Sequence, residues 1–295
     1  KNNITINMKK SLTLLALTMA CSMNAQIQIY QTNISGSTTS SAIGSYTKAT
    51  ATGAFASGKD TEATGDYSQA LGYRAKAYGD KSFAIGDLTT ANGINSTAMG
   101  YWTEANGDYS TSTGEFSDAN GKTSTAMGYG SYASDAFSLV IGHNNLSGST
   151  VTGSATEFNS ANTAFVIGNG SWPWDRSDAF KVMSNGDTTV SNDLTVNGDI
   201  VVSSDARLKA NIVSLGSTLA KLLLIDGKSY TMKKNGKQKI GVLAQDIQKV
   251  FPELVTTDDK DMLAVNYQGL VPVLINALKE QDDKISRLEK LISNK

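Results

Sequence analysis

The sequence predicts a mainly β, elongated protein ending in an α-helical, coiled-coil module, and three observations predict it. From Gly58 to Gly128 glycine falls on every seventh position, at 58, 65, 72, 79, 86, 93, 100, 107, 114, 121 and 128, and Gly44 and Gly142 lie one double step beyond each end. Alternate steps of that grid carry Ser-x-Ala-apolar-Gly, as in Ser68–Gly72, Ser82–Gly86, Ser96–Gly100 and Ser124–Gly128, while the steps between are more polar, as in Glu62–Gly65 and Glu104–Gly107. From Val271 onward apolar residues recur at heptad spacing among Lys, Glu and Asp. Long aliphatic side chains are scarce before residue 203 and frequent after it, so one large core shared by all 295 residues is not expected.

Taken in order, residues 1–25 read as a leader. Residues 1–7 form an upstream extension, Met8-Lys9-Lys10 a basic start, Leu12 to Ala20 a short apolar run, and Asn24-Ala25 before Gln26 a small-residue cleavage site. That run is too short to cross a bilayer, and no later segment approaches about 20 apolar residues, so no transmembrane segment is expected in the mature chain. Cys21 is the sole cysteine, and Thr18-Met19-Ala20 before it is a poor fit to a lipidation signal. Cleavage after Ala25 leaves a mature chain that no disulfide can hold. Residues 26–43 read as a linker.

Residues 44–142 form the repeat region. Because its alternate steps differ, the unit is fourteen residues, the signature of a solenoid. Side chains alternate across a strand, so stacked coils align Ala70, Ala84, Ala98 and Ala126 on one side and Leu71, Ile85, Met99 and Met127 on the other. If the small residues fill a thin interior, the larger ones form an apolar stripe in water that calls for partners, most simply identical chains around a symmetry axis. Glycine on the grid is expected to permit a positive φ at each corner. Seven coils at the spacing of stacked strands give a rod of roughly 34 Å.

Residues 143–202 read as a β-rich neck of short segments: Asn162–Gly168, Phe180–Met183, Thr188–Val190, Leu194–Val196 and Ile200–Val202, with Asn185-Gly186 and Asn197-Gly198 as turns. Trp172 and Trp174 flank Pro173, and packing at the neck is the expected use, with sugar binding the alternative. In residues 203–295, Val242, Leu243, Ile247, Val250 and Phe251 share a helical face over Gly241–Val255 that Pro252 ends. Val271, Leu274, Leu278, Gln281, Ile285, Leu288 and Ile292 then form a coiled-coil seam with one polar interruption, suited to parallel association of identical chains.

The net charge of −1 offers nucleic acid no electrostatic footing, and Lys233, Lys234, Lys237 and Lys239 read as a solvated Asn-Gly turn. His143, the single histidine, reads as a turn residue and excludes a multi-histidine metal site. Asp258, Asp259 and Asp261 read as a solvated acidic loop rather than a cation site. No metal or cofactor is expected.

The Ser-x-Ala-apolar-Gly repeats resemble the head of YadA-like trimeric adhesins, which implies a left-handed parallel β-roll that trimerises. Gly114 follows Ser112 and Thr113, so one rung departs from the pattern. The run Ser204-Asp205-Ala206-Arg207-Leu208-Lys209-Ala210-Asn211-Ile212, the Gly241–Val255 segment and the terminal heptads together resemble the endosialidase-type intramolecular chaperone. That resemblance implies a domain that directs trimer assembly and then cuts itself off, with Ser204 as nucleophile, Lys209 as base and cleavage beside Ser204, between Ser204 and Asp205. A lysine serves as base only when burial or positive neighbours favour its neutral amine. Residues five apart lie about 140° apart on a helix and on opposite faces of a strand, so a bend, or a lysine from a neighbouring chain, is needed.

The expected protein is thus a secreted or cell-surface homotrimeric, adhesin-like fibre with a self-cleaving chaperone. A non-cleaving structural fibre with a permanent coiled-coil foot is the alternative, and the leader argues against a phage fibre. A host-surface or matrix ligand would suit the Thr-, Ser-, Tyr- and Asp-rich repeat surface, and nothing names it.

Overall fold

A computed structural model describes residues 34–37, 39–258 and 261–294, so the leader, Cys21 and Asp259 lie outside the described residues. The chain divides into two compact units, one ending at Gly198 and the other beginning at Asp199. Each is treated by itself.

The first unit is a β-solenoid. Five-residue strands, from Ser41–Ser45 through Phe83–Asp87 and Thr97–Tyr101 to Leu139–His143, stack in parallel in one sheet. Two-residue strands, from Ile34–Ser35 to Tyr132–Ala133, stack in a second. Every residue faces its equivalent one repeat away, as Ala84 faces Ala98 and Gly86 faces Gly100. Among the described residues the first pairings are Ile34–Ser35 with Lys48–Ala49 and Ser41–Ser45 with Phe55–Lys59.

Inside, Ala56, Ala70, Ala84, Ala98 and Ala126 are fully buried, together with Ser68, Ser82, Ser96, Ser110 and Ser124. Ile85, Met99 and Met127, one residue further on, are 38–45% exposed. The alternation therefore resolves with the small residues in and the large ones out. Ser112, in the irregular rung, takes the alanine position and donates its Oγ–H to the Ser117 carbonyl at 2.5 Å. In the last coils Val140 and Val166 occupy that ladder, also fully buried.

The glycine grid has a different physical basis from the expected one. Only alternate members, such as Gly100 (φ +126°), have positive φ; Gly93 does not, yet a Cβ there would lie 2.0 Å from the Gly107 carbonyl oxygen. Close approach of neighbouring coils, which also applies at Gly100, requires the glycines from Gly58 to Gly128 to lack side chains. The left-handed corners lie two residues after each grid position. They run every seventh residue from Tyr46 through Gly53, Asp60 and Tyr67 to Asn144, at φ from +45° to +65°, and only Gly53 and Gly130 among them are glycine. From Asp60 onward this conformation turns the corner N–H onto a carbonyl of the preceding coil, as Trp102 N–H donates to Asp87 at 2.8 Å and Tyr109 N–H to Ile94 at 2.8 Å.

After His143 the register lengthens: Leu139 pairs with Phe165, an offset of 26 instead of 14. Asp135, at a grid position, is fully buried, and its carboxylate accepts from Thr152 N–H at 2.6 Å and Thr163 N–H at 2.7 Å, tying the extra loop down. Asp178–Met183 and Thr188–Val190 continue the sheet antiparallel through the Asn185-Gly186 turn. Leu194–Val196 and Ile200–Val202, expected as strands, are not: they have no partner strand among the described residues and stand exposed. Three β-branched or aliphatic residues cannot hold a strand without an edge to pair with.

The second unit is mixed rather than α-helical. It comprises helix α1 (Leu219–Leu222), the hairpin Lys228–Thr231 with Gln238–Gly241, helix α2 (Ala244–Val250), the strand pair Val255–Thr257 with Leu263–Val265, and helix α3 (Leu270–Ser293). The expected Gly241–Val255 helix is therefore shorter: Leu243 is still extended and Pro252 opens a separate 3-10 turn. Ile247, Phe251 and Val273 form the core, with Leu222, Val242, Val250 and Val265 packed around it. Only Val273 and Ala277 of α3 are buried. Glu280 fastens α3 to the start of α1, accepting from Ser217 Oγ at 2.7 Å and from the Thr218 and Leu219 N–H groups. Those donors hold its carboxyl below the ordinary range.

Candidate functional site

Ser204 and Lys209 meet across a short turn. Asp205 caps the 3-10 turn Ala206–Leu208 by accepting from Arg207 N–H at 2.8 Å, and the Arg207 guanidinium grips the same carboxylate at 2.7 Å. The Arg207 side chain first, and its N–H second, lower the pKa of the Asp205 carboxyl. After the turn Lys209 is extended (φ −124°, ψ 140°), which sends its side chain back over the start. Its Nζ donates to Ser204 Oγ at 2.7 Å and to the Ser204 carbonyl oxygen at 3.1 Å. A regular helix or strand would have separated the pair; one 3-10 turn is the required bend, and it lies within a single chain.

The Ser204 carbonyl is that of the Ser204–Asp205 peptide bond. One amino group thus touches the hydroxyl and the carbonyl of the bond expected to break. Both residues are exposed in the single chain. The arrangement thus has the geometry of a dyad without the burial that its chemistry needs.

The seam residues share a fate. Val271, Leu274, Leu278, Ile285, Leu288 and Ile292 are 46–73% exposed, and Gln281 is exposed among them. Val273 and Ala277 take the inward face, so α3 uses one side for its own unit and leaves the heptad side uncovered.

Other expectations are corrected or extended. His143 ends a strand rather than a turn, with Nδ1 2.7 Å from the Gly170 carbonyl oxygen. Trp172 and Trp174 do not pack within the unit: they are 57% and 81% exposed, and their rings lie parallel with centroids 5.5 Å apart. Asp258 and Asp261 belong to the turn between two strands, where Asp258 accepts from Met262 N–H at 2.8 Å. Among the described residues no three His, Cys, Asp or Glu side chains converge as a metal site, and no helix is long and apolar enough to cross a membrane.

Sequence reasoning missed Asp118. It stacks in register with Glu104, and burial first, then Glu104, pushes its pKa up to about 7 against the opposing pull of Arg176. The fourteen-residue spacing of Glu104 and Asp118 was the available signal. An apolar groove in the second unit, assembled from four separate segments, left no such trace.

Comparison with known protein families agrees with this division. Residues 63–89, 91–116 and 119–145 match the model of the YadA head domain repeat, and residues 204–256 match that of the chaperone of endosialidase. A search of curated proteins finds no match. Both resemblances seen in the sequence are thereby shown, the second over a span that includes Ser204 and Lys209.

Proposed function

We propose that the chain is a trimeric, adhesin-like fibre, secreted or held at a cell surface, whose C-terminal unit directs assembly and then cuts the chain between Ser204 and Asp205. The observation that carries this reading is the convergence of Lys209 Nζ on Ser204 Oγ and on the Ser204 carbonyl oxygen. Attack by Ser204 Oγ on its own carbonyl carbon would close a four-membered ring, so the attacking hydroxyl is a neighbouring copy's. Its oxygen bonds to the Ser204 carbonyl carbon, its proton passes to a neutral Lys209 amine, and the C–N bond to Asp205 breaks as that nitrogen takes the proton. Water then cleaves the ester and restores the hydroxyl.

Exposure of the pair in one chain supports coupling between assembly and cutting, because only packed copies can strip water from Lys209. The exposed α3 seam and the apolar stripe on the roll supply two surfaces for such packing. A slip of one repeat between chains would exchange each roll contact for a similar one, so a terminal clamp has a task. Once the clamp is cut away, the rod persists kinetically. The domain boundaries placed by sequence, with the chaperone starting at residue 203, belong to this proposal, as does a host-surface or matrix ligand for the head.

The test is the intact mass of the purified chain beside Ser204→Ala and Lys209→Ala variants. Two fragments meeting next to Ser204 in the parent, and full-length chain in both variants, are expected. An uncut parent that still trimerises would leave the non-cleaving fibre.

A further inference from the structure

The second unit contains a groove of about 750 Å³ that neither the dyad nor the seam uses. Tyr230, Met232, Leu243, Met262, Leu263 and Tyr267 line it. All of these except Leu263 are at least 36% exposed. Two edge strands contribute to it, since among the described residues Lys228–Thr231 pairs only with Gln238–Gly241, and Leu263–Val265 only with Val255–Thr257. Lys233 and Lys234 stand among the lining residues, with Asp261 in the opposite segment.

The same unit contains a segment that lacks a place. Ile200, Val201 and Val202 are 64%, 89% and 60% exposed. Three consecutive β-branched residues without a polar alternate are the pattern of a strand covered on both faces, yet here neither face is covered. Asp199 precedes them.

We infer that Asp199–Val202 of one copy seats as an extended strand in this groove of a second copy, resting on the assembly and cleavage proposed above. The groove offers apolar walls for Ile200–Val202, strand edges whose outer N–H and C=O groups have no neighbouring strand, and lysines for Asp199. Ser204 follows Val202 by two residues, about 7 Å of extended chain, so a seated segment carries the Ser204–Asp205 bond to the groove mouth. The groove is in this way a recognition site for the chain's own cleavage segment, and a chain meets it only once a second copy is in place.

The test uses the full chain in a Cys21→Ser, Ser204→Ala background, with Val201→Cys and Met262→Cys introduced together and bridged by a short bis-maleimide. Covalently linked multiples of the chain are expected, with none from either single-cysteine variant. A link closed within one chain, or no link in a preparation that still assembles, would overturn the inference. In otherwise native chain, Asp199→Lys is expected to slow cleavage at least tenfold, and Lys233→Glu with Lys234→Glu to restore it; unchanged cleavage in Asp199→Lys would also overturn the inference. Parent chain that assembles and cuts while these tests fail removes the groove and leaves the proposed function intact. Parent chain that neither assembles nor cuts removes both.

Discussion

The two units solve the burial problem in opposite ways. The roll completes itself coil by coil: its interior is mostly alanine, serine and threonine at or near zero exposure, and each strand up to Leu139–His143 finds a partner fourteen residues away. The C-terminal unit fully buries few large side chains, chiefly Ile247, Phe251 and Val273, and leaves the α3 seam, Ile200–Val202 and the groove uncovered. One region is repetitive and pairs its strands coil by coil, so its contacts cannot count register. The other is unique in sequence and unsatisfied, so its contacts can specify how many copies meet and where.

The contrast breaks most sharply at the backbone of the roll. Gly93→Val and Gly100→Ala each place a Cβ about 2 Å from a carbonyl oxygen of the next coil. Each is expected to cost about 4 kcal/mol or more, the exceptional end for a single substitution. Circular dichroism should show lost β-structure, and a melt like the parent's would contradict the close-approach explanation of the grid. In the C-terminal unit Ile247→Ala is expected to cost about 2–5 kcal/mol through its cavity. Differential scanning calorimetry should show that unit's transition moving, because its core is built from Ile247, Phe251, Val273 and neighbours of the same unit.

Smaller effects sharpen the comparison. Thr123 is β-branched in a left-handed corner (φ 58°), so Thr123→Gly should gain about 1 kcal/mol in denaturant unfolding by relieving that strain. Asp118 has a raised folded-state pKa of about 7, so the folded roll holds this proton more tightly than the unfolded chain does. Its contribution to stability therefore falls as pH rises from about 4, the unfolded value, to 7. Asp118→Asn should flatten that fall and raise the melting temperature at neutral pH. Glu280 has the opposite sign: its carboxyl is depressed, so the stability it confers is present above the ordinary glutamate range and is lost in stronger acid.

Much of this architecture was legible because repetition amplifies weak signals. One Ser-x-Ala-apolar-Gly is ambiguous, but Ala84, Ala98 and Ala126 at fixed spacing determine which side is small, and small side chains must line a thin interior. The left-handed corners were not legible, because Tyr67, Arg74, Leu88 and Trp102 carry no glycine signal and are held there by backbone bonds between coils. The seam of α3 was readable from its heptads, whereas the inward Val273 and Ala277 depend on α1 and α2, distant in sequence. Ser204 and Lys209 were recognisable as a pair, but their contact rests on a 3-10 turn capped by Asp205, which five-residue spacing alone does not reveal. The unpaired Ile200–Val202 read as a strand because propensity reports the need for a partner and not its presence.

The most direct measurement is sedimentation equilibrium of the uncut Ser204→Ala chain beside the same chain carrying Leu278→Lys and Ile285→Lys in the seam. A mass of three chains that falls toward one in the seam variant is the predicted result, because the unsatisfied unit would then be what holds the copies. A single-chain mass for the first protein, or a three-chain mass unchanged in the second, would contradict it.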